Sequence, residues 1–337
     1  MLKMNARKPI AIIGADSAGL NAATDKLLNL VHVQCCVCGS DDAEPVGAGK
    51  DFEYNTSPDT FLAVRCNSCG LIYLNPRPDI SEFEKIYPGN YHAYNFSVKG
   101  FGVVYKMRSW LEAKRLLNYC EGLPADARIL DVGCGDGFHL KLLRQYGKKS
   151  WKLEGIDMDK RAVDMAKNAG LIAHRGSIES IDLPQNTYDL AYMIQTIEHV
   201  EKPDEVLRCI RNFLKPGGKL VIVTDNTGSL DFKFFKKVYW GGYHFPRHWN
   251  LFNRNSLTRL AEKIDFEVAS LETQVSPVNW IYTIHNWLVD KKAPCWLINR
   301  FTLKSTVSLF FFTMLDFVMQ KFRKGANIRA ILRKPIE

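Results

Sequence analysis

From residue 127 the chain repeats one unit, a short apolar run followed by a longer stretch with apolar residues at helical spacing, and this repetition restricts the fold more than any other feature. Residues 127–133 ("ARILDVG"), 151–157, 171–176, 187–194 and 219–225 read as short buried strands. Residues 137–147, 159–170 and 203–218 read as helices, the last two closed by a glycine stop. Strands alternating with helices in this way predict an α/β fold built on a parallel sheet.

The turn after the first strand, within "ILDVGCGDGFHL", holds Asp131, Gly133, Gly135 and Gly137. Without Cβ atoms it can pass close to a ligand, and the helix that follows offers unpaired N–H groups. A dinucleotide fingerprint runs Gly-x-Gly-x-x-Gly around a pyrophosphate, whereas here the third glycine comes one residue early and a carboxylate precedes the turn. That carboxylate would repel a diphosphate and pair with an ammonium group. Any one of these features alone would be read as a tight turn or a helix cap.

Taken in order, "ILDVGCGDG", "EGIDMD", "GSIESIDLP", "QTIEHVEKP" and "LKPGGKL" resemble the motifs of the class I S-adenosylmethionine-dependent methyltransferases, over roughly residues 126–275 plus a final strand. The resemblance implies a Rossmann-like, seven-stranded fold and S-adenosyl-L-methionine as methyl donor. It implies that Asp131, Gly133, Gly135 and Gly137 hold the amino-acid end of the donor, that Asp157 accepts the ribose hydroxyls, and that Met158 lies by the adenine. Ser177 and Ile178 fall in the adenine-reading segment, where Ser177 replaces the usual acid. Gln195 and Glu198 are read as further lining of the donor pocket.

Nine cysteines include two Cys-x-x-Cys-Gly knuckles, Cys35/Cys38 and Cys66/Cys69, separated by 27 residues. Two such knuckles supply four thiolates to one tetrahedral zinc ion, with no open position for water, so a structural zinc ribbon is expected. Cys36 stands outside the pattern. A redox pair is the competing reading, but neither knuckle sits in a thioredoxin-like βαβ context. A methyltransferase preceded by such a ribbon resembles bacterial enzymes of sugar and polysaccharide pathways. In those, a tyrosine-rich segment lies over donor and acceptor; Tyr87, Tyr91 and Tyr94 match it, and packing between lobes would explain them as well.

After the fifth strand, "YHFPRHWNLFNRNSL" places His248 as the candidate general base, since imidazole titrates near neutrality. A helix-capping or packing role for His248 is the alternative. Where sugar C-methyltransferases have glutamate before that histidine, this chain has Arg247, which would suit an anionic acceptor. Glu198-His199 is similar to a pair in quinone-pathway O-methyltransferases, some of which use a divalent ion; Gln195 stands where those have an acid.

About fifty residues, 276–325, separate the sixth strand from the closing one at 326–335. They are apolar, carry Trp280, Trp287 and Trp296, and are bordered by lysine and arginine; the last 48 residues hold ten basic residues against three acids, out of a net charge of +9. Such a segment predicts peripheral contact with an acidic membrane, or else a lid or homodimer surface. No apolar run of membrane-spanning length appears, so a cytoplasmic chain is the default. Residues 31–80 contain only Lys50, Arg65 and Arg77 as basic residues, which disfavours an RNA methyltransferase that grips its substrate through the ribbon. The expected organisation is an extension at 1–30, a zinc-ribbon lobe at 31–80, a tyrosine-rich connecting or lid segment at 81–125, and a methyltransferase domain at 126–337 with the apolar helical insertion inside it. The expected acceptor is a small molecule or glycoconjugate precursor, methylated on a sugar hydroxyl or carbon. An RNA methyltransferase and a non-catalytic donor-binding module are the alternatives.

Overall fold

A computed structural model describes residues 27–89, 91 and 98–336. Tyr94 and almost all of the N-terminal extension lie outside the described residues.

The N-terminal part forms short strands β1 (Leu30–Val31), β2 (Ala43–Gly49), β3 (Phe61–Cys66), β4 (Ile72–Leu74) and β5 (Arg77–Pro78), then helix α1 (Phe83–Ile86) and the long helix α2 (Val98–Tyr119). The repeating unit follows as β6 (Arg128–Val132), α3 (Phe138–Tyr146), β7 (Lys152–Asp157), α4 (Lys160–Asn168), β8 (Ile172–Arg175), β9 (Tyr188–Ile194), α5 (Pro203–Phe213) and β10 (Leu214–Asp225). Each matches its sequence-based span to within a few residues, except that α5 stops at Phe213 instead of residue 218 and β10 begins five residues earlier, at Leu214 instead of residue 219. Beyond it come α6 (Leu230–Phe235), β11 (Asn250–Leu251), α7 (Arg254–Lys263), β12 (Glu267–Gln274), the inserted helices α8 (Val278–Asp290), α9 (Cys295–Ile298) and α10 (Thr306–Lys321), and β13 (Asn327–Arg333).

Seven strands make the central sheet in the order β12-β13-β10-β9-β6-β7-β8, with β13 the antiparallel member. This is the Rossmann-like class I methyltransferase fold. The chain runs outward from β6 to β7 and β8, then returns to β9 on the other side of β6, so the strand order reverses at β6. Ligands of open parallel sheets bind at the carboxyl ends of strands beside such a reversal, where the crossover helices leave a crevice.

Each face of the sheet has its own apolar layer. On one, Leu116 and Tyr119 of α2, Leu140 and Leu143 of α3 and Val163 of α4 pack on Ile129, Leu190 and Val221. On the other, α5 buries Val206, Leu207, Ile210 and Phe213, a stripe at one helical period, and α7 buries Leu257, Leu260 and Ala261. Fully burying each such side chain contributes about 1.5–3 kcal/mol. Cys35, Cys66, Cys69, Leu71 and Tyr73 join that same layer. The N-terminal strands are also tied in by hydrogen bonding, because β11 supplies the last strand of their sheet, ordered β11-β4-β3-β2. His248 lies just before β11, so this pairing fixes the loop that carries it.

Candidate active site

The donor side forms at the carboxyl ends of β6 and β7. Gly133, Gly135 and Gly137 all have φ between 54° and 81°, a region that penalises any side chain. A Cβ on Gly133 would come within 2.4 Å of Thr196, and one on Gly137 within 2.3 Å of Leu171. A Cβ on Gly135 would meet nothing within 4 Å, so that glycine borders open space. Asp157, ending β7, spans the turn by accepting the Gly135 and Asp159 N–H groups, each at 2.8 Å.

Asp131 is buried, and its Oδ2 has no hydrogen-bond partner among the described residues. Burial, and then the Asp157 charge, hold its carboxyl well above the usual carboxylate range. Such a group lacks a cation. His139 stands 4.0 Å away but cannot serve, because burial pushes its imidazole down to about 4. An orphaned carboxylate beside a glycine cradle fits the ammonium end of S-adenosylmethionine, which as a sulfonium supplies an already activated methyl group.

The other expected donor residues spread over the same edge. Met158 is exposed at the tip of β7. Ser177 lies after β8 with its hydroxyl toward Ser180, while the side chain of Ile178 turns into the core. Gln195 is exposed at the end of β9 with φ 53°. Glu198 parts from it and is fully buried, accepting the Thr224 hydroxyl at 2.7 Å.

The acceptor side centres on His248. Its Nδ1 lies 2.8 Å from the Gly242 carbonyl and 3.1 Å from Asp225 Oδ2. Both neighbours can only accept, so Nδ1 carries the proton and the neutral ring presents Nε2 as a lone pair. Burial pushes the imidazole down, but the hydrogen bond and charge of Asp225, followed by Glu198, outweigh it, and the net shift is upward. Asn279 of α8 holds the other oxygen of Asp225 at 2.8 Å.

His199 packs edge-on to His248 at 4.5 Å between ring centroids, and its Nδ1 is 2.8 Å from the Tyr87 hydroxyl. Burial pushes the Glu198 carboxyl up to about 7, against the attraction of His248. One ligand atom each of Glu198, His199 and His248 lie within 4.8 Å of one another, so the trio can share a proton or hold a cation. Gln195 takes no place in it.

Further out, His244 pairs with Glu53 at 2.7 Å, and Tyr54 and Tyr91 pack against the His244 ring. Tyr87 and Tyr91 thus face the histidines. Asp51, Glu53, His139, Asp225 and His244 were not singled out from the sequence. The tyrosine segment, the Glu198-His199 pair and His248 of "YHFPRHW" were the sequence signals for this cluster.

Arg247 corrects the sequence reading. Its side chain is entirely buried and bonded to both oxygens of Asp51, to the Ile86 carbonyl and to the Phe245 carbonyl, with Tyr54 stacked over the guanidinium. It is a structural tie and not a receptor for an anionic acceptor.

Cys35 and Cys69 approach to 3.4 Å, as do Cys38 and Cys66, and the four sulfurs all lie within 4.8 Å of one another. Gly39 and Gly70 have φ of 75° and 76°, as the turn of each knuckle requires, and each donates to the carbonyl of the first cysteine of its knuckle. Four converging thiols, with no other ligand among the described residues, fit zinc. Cys36 instead contacts Asn250.

The family model described as a methyltransferase domain matches residues 105–271, which hold β6 to β11 and, of the cluster, Glu198, His199, Asp225, His244 and His248. The chain is an S-adenosylmethionine-dependent methyltransferase. Among its relatives, the ubiquinone/menaquinone biosynthesis C-methyltransferase of Wigglesworthia glossinidia brevipalpis is 26% identical over 55% of this chain and 76% of its own length. A ubiquinone biosynthesis O-methyltransferase of Alkalilimnicola ehrlichii is 28% identical over 49% of this methyltransferase and 71% of its own length. Another, from Xanthomonas axonopodis pv. citri, is 33% identical over 31% of this chain and 45% of its own length.

Proposed function

We propose that this methyltransferase acts on a small-molecule or glycoconjugate acceptor, transferring methyl to a sugar hydroxyl or carbon. Asp131, Gly133, Gly135 and Gly137 would hold the amino-acid end of the donor, Asp157 the ribose and Met158, Ser177, Ile178 and Gln195 the region of the base. His248 would take the proton of the acceptor on Nε2 as the methyl group moves from sulfur to oxygen or carbon, leaving S-adenosylhomocysteine. Asp225 orients the ring and stabilises the imidazolium formed. The four-cysteine cluster would carry a structural zinc.

The observation that carries this reading is the buried His248–Asp225 pair, which packs on His199 and His244, whose rings in turn meet Tyr87 and Tyr91. The quinone-pathway relatives act on small molecules by their names, which agrees with it. Incubation with isotopically labelled donor and a panel of nucleotide sugars and lipid-linked saccharides, followed by mass spectrometry, tests it. Methylation of a panel member that is lost in His248→Asn is expected; label found in RNA and in no saccharide would reverse the assignment.

A further inference from the structure

Helix α10 packs Phe312, Leu309 and Leu315 inward yet carries a second apolar stripe that faces outward. Val307, Phe310, Phe311, Met314, Phe317 and Val318 recur at helical spacing, and all are exposed, Phe310 by 70%. The residues α10 turns inward include the polar Ser308 and Asp316. Ser308 donates to the Arg300 carbonyl, while Asp316 accepts the N–H groups of Ser276 and Ala326 and the Trp280 indole N–H. These bonds fix the helix with its aromatic stripe outward, and a rotation that hid the stripe would orphan a buried carboxylate. Trp296 of α9 and Phe322, just past α10, are 67% and 70% exposed.

Lys304 precedes the helix, Lys321 ends it, and Arg323 and Lys324 follow, all exposed. Between residues 276 and 325 the only acids are Asp290 and the buried Asp316. A two-fold homodimer through this face would bring like charge against like charge. An acidic lipid surface meets both features at once. The stripe enters the headgroup region while lysine and arginine meet the phosphates. With 16 residues, α10 is about 24 Å long, and no described helix is long and apolar enough to cross a membrane.

We infer that α10, with α9, docks flat on a bilayer of anionic lipid. The docked face connects to the acceptor side through packing: Phe312 of α10 stacks on Trp280 of α8, and Asn279 of α8 bonds Asp225. The inference stands whichever acceptor is methylated.

The test is co-sedimentation of the full chain with vesicles of phosphatidylcholine alone and of phosphatidylcholine with 30% phosphatidylglycerol. Binding is expected only to the second, weakening steeply between 0.05 and 0.5 M salt. Lys321→Glu and Arg323→Glu should each reduce partitioning at least about fivefold. Phe310→Ser/Phe311→Ser should abolish it with unchanged thermal unfolding, since both side chains already face water. Equal binding to neutral vesicles, no binding, or a dimer in vesicle-free solution that this double variant dissolves would each overturn the inference.

Discussion

Arg247 Nη2 stands 2.7 Å from Asp51 Oδ2, and neither side chain is exposed. The pair joins the loop after β2 to the loop that carries His248, 196 residues later. Asp51 also accepts from the Thr56 N–H and hydroxyl and from the Tyr54 N–H. The ion pair therefore sets the position of the loop after β2 against the histidine loop.

Removing one partner leaves the other charge buried without compensation, so Arg247→Ala should cost about 3–5 kcal/mol in denaturant unfolding. The deficit should shrink on acidification. Burial pushes Asp51 up, but the charge and hydrogen bonds of Arg247 more than offset it, and its carboxyl titrates below the usual range. In the intact protein this stabilisation is present above the unfolded-state pKa and lost as pH falls through the lower folded one. In the variant burial dominates, so protonation relieves strain and the two stability curves converge toward acid. Parallel curves would show that the pair does not govern stability.

Substituting Cys38→Ser should release zinc and lower thermal stability, whereas Cys36→Ser should leave metal content intact. Because Cys35, Cys66 and Cys69 share a core with α5 and α7, loss of the metal should loosen the methyltransferase fold and not the ribbon alone. Elemental analysis of the two variants decides it, and unchanged zinc in Cys38→Ser would remove the four-cysteine site.

What could be read in the sequence followed the range of the interactions involved. β6 to β10 were visible because each strand and helix carries its own period and its own stop, and the glycine cradle because its spacing is local. The two knuckles were visible for the same reason. Asp51–Arg247 and Glu53–His244 were invisible, since each joins distant segments and a lone acid in a loop has no periodic signature. Arg247 was misread because an arginine beside a candidate base suggests a ligand until its partner is seen. In α10 the apolar spacing marked a helix but not its facing; Ser308 and Asp316 decide that through partners elsewhere in the chain.

On the donor side, Asp131→Asn keeps the shape of the pocket and removes its charge. Binding of S-adenosylhomocysteine, measured calorimetrically, should weaken by about 2 kcal/mol or more. Because the free carboxyl titrates well above the usual range, binding of an ammonium should release a proton at low pH, and affinity should rise with pH until Asp131 is ionised in the free protein. The asparagine variant should lose that dependence. If both proteins bind alike at every pH, the ammonium lies elsewhere.

The acceptor step carries a pH signature of its own. With His248 as base, turnover requires neutral imidazole, so the rate should rise with pH through a value above the ordinary histidine value of 6.5, because the net shift at His248 is upward. Asp225→Asn removes the main upward influence while keeping a hydrogen-bond acceptor near Nδ1, so the rising limb should move to lower pH as the maximal rate falls. His248→Asn should lose about 10²–10⁴-fold in rate with donor affinity unchanged, since the polar partners of His248 are Gly242 and Asp225 and not the Asp131 cradle. A limb that stays in place in Asp225→Asn, together with a rate preserved in His248→Asn, would assign proton removal to another group of the cluster, with His199 the nearest ring.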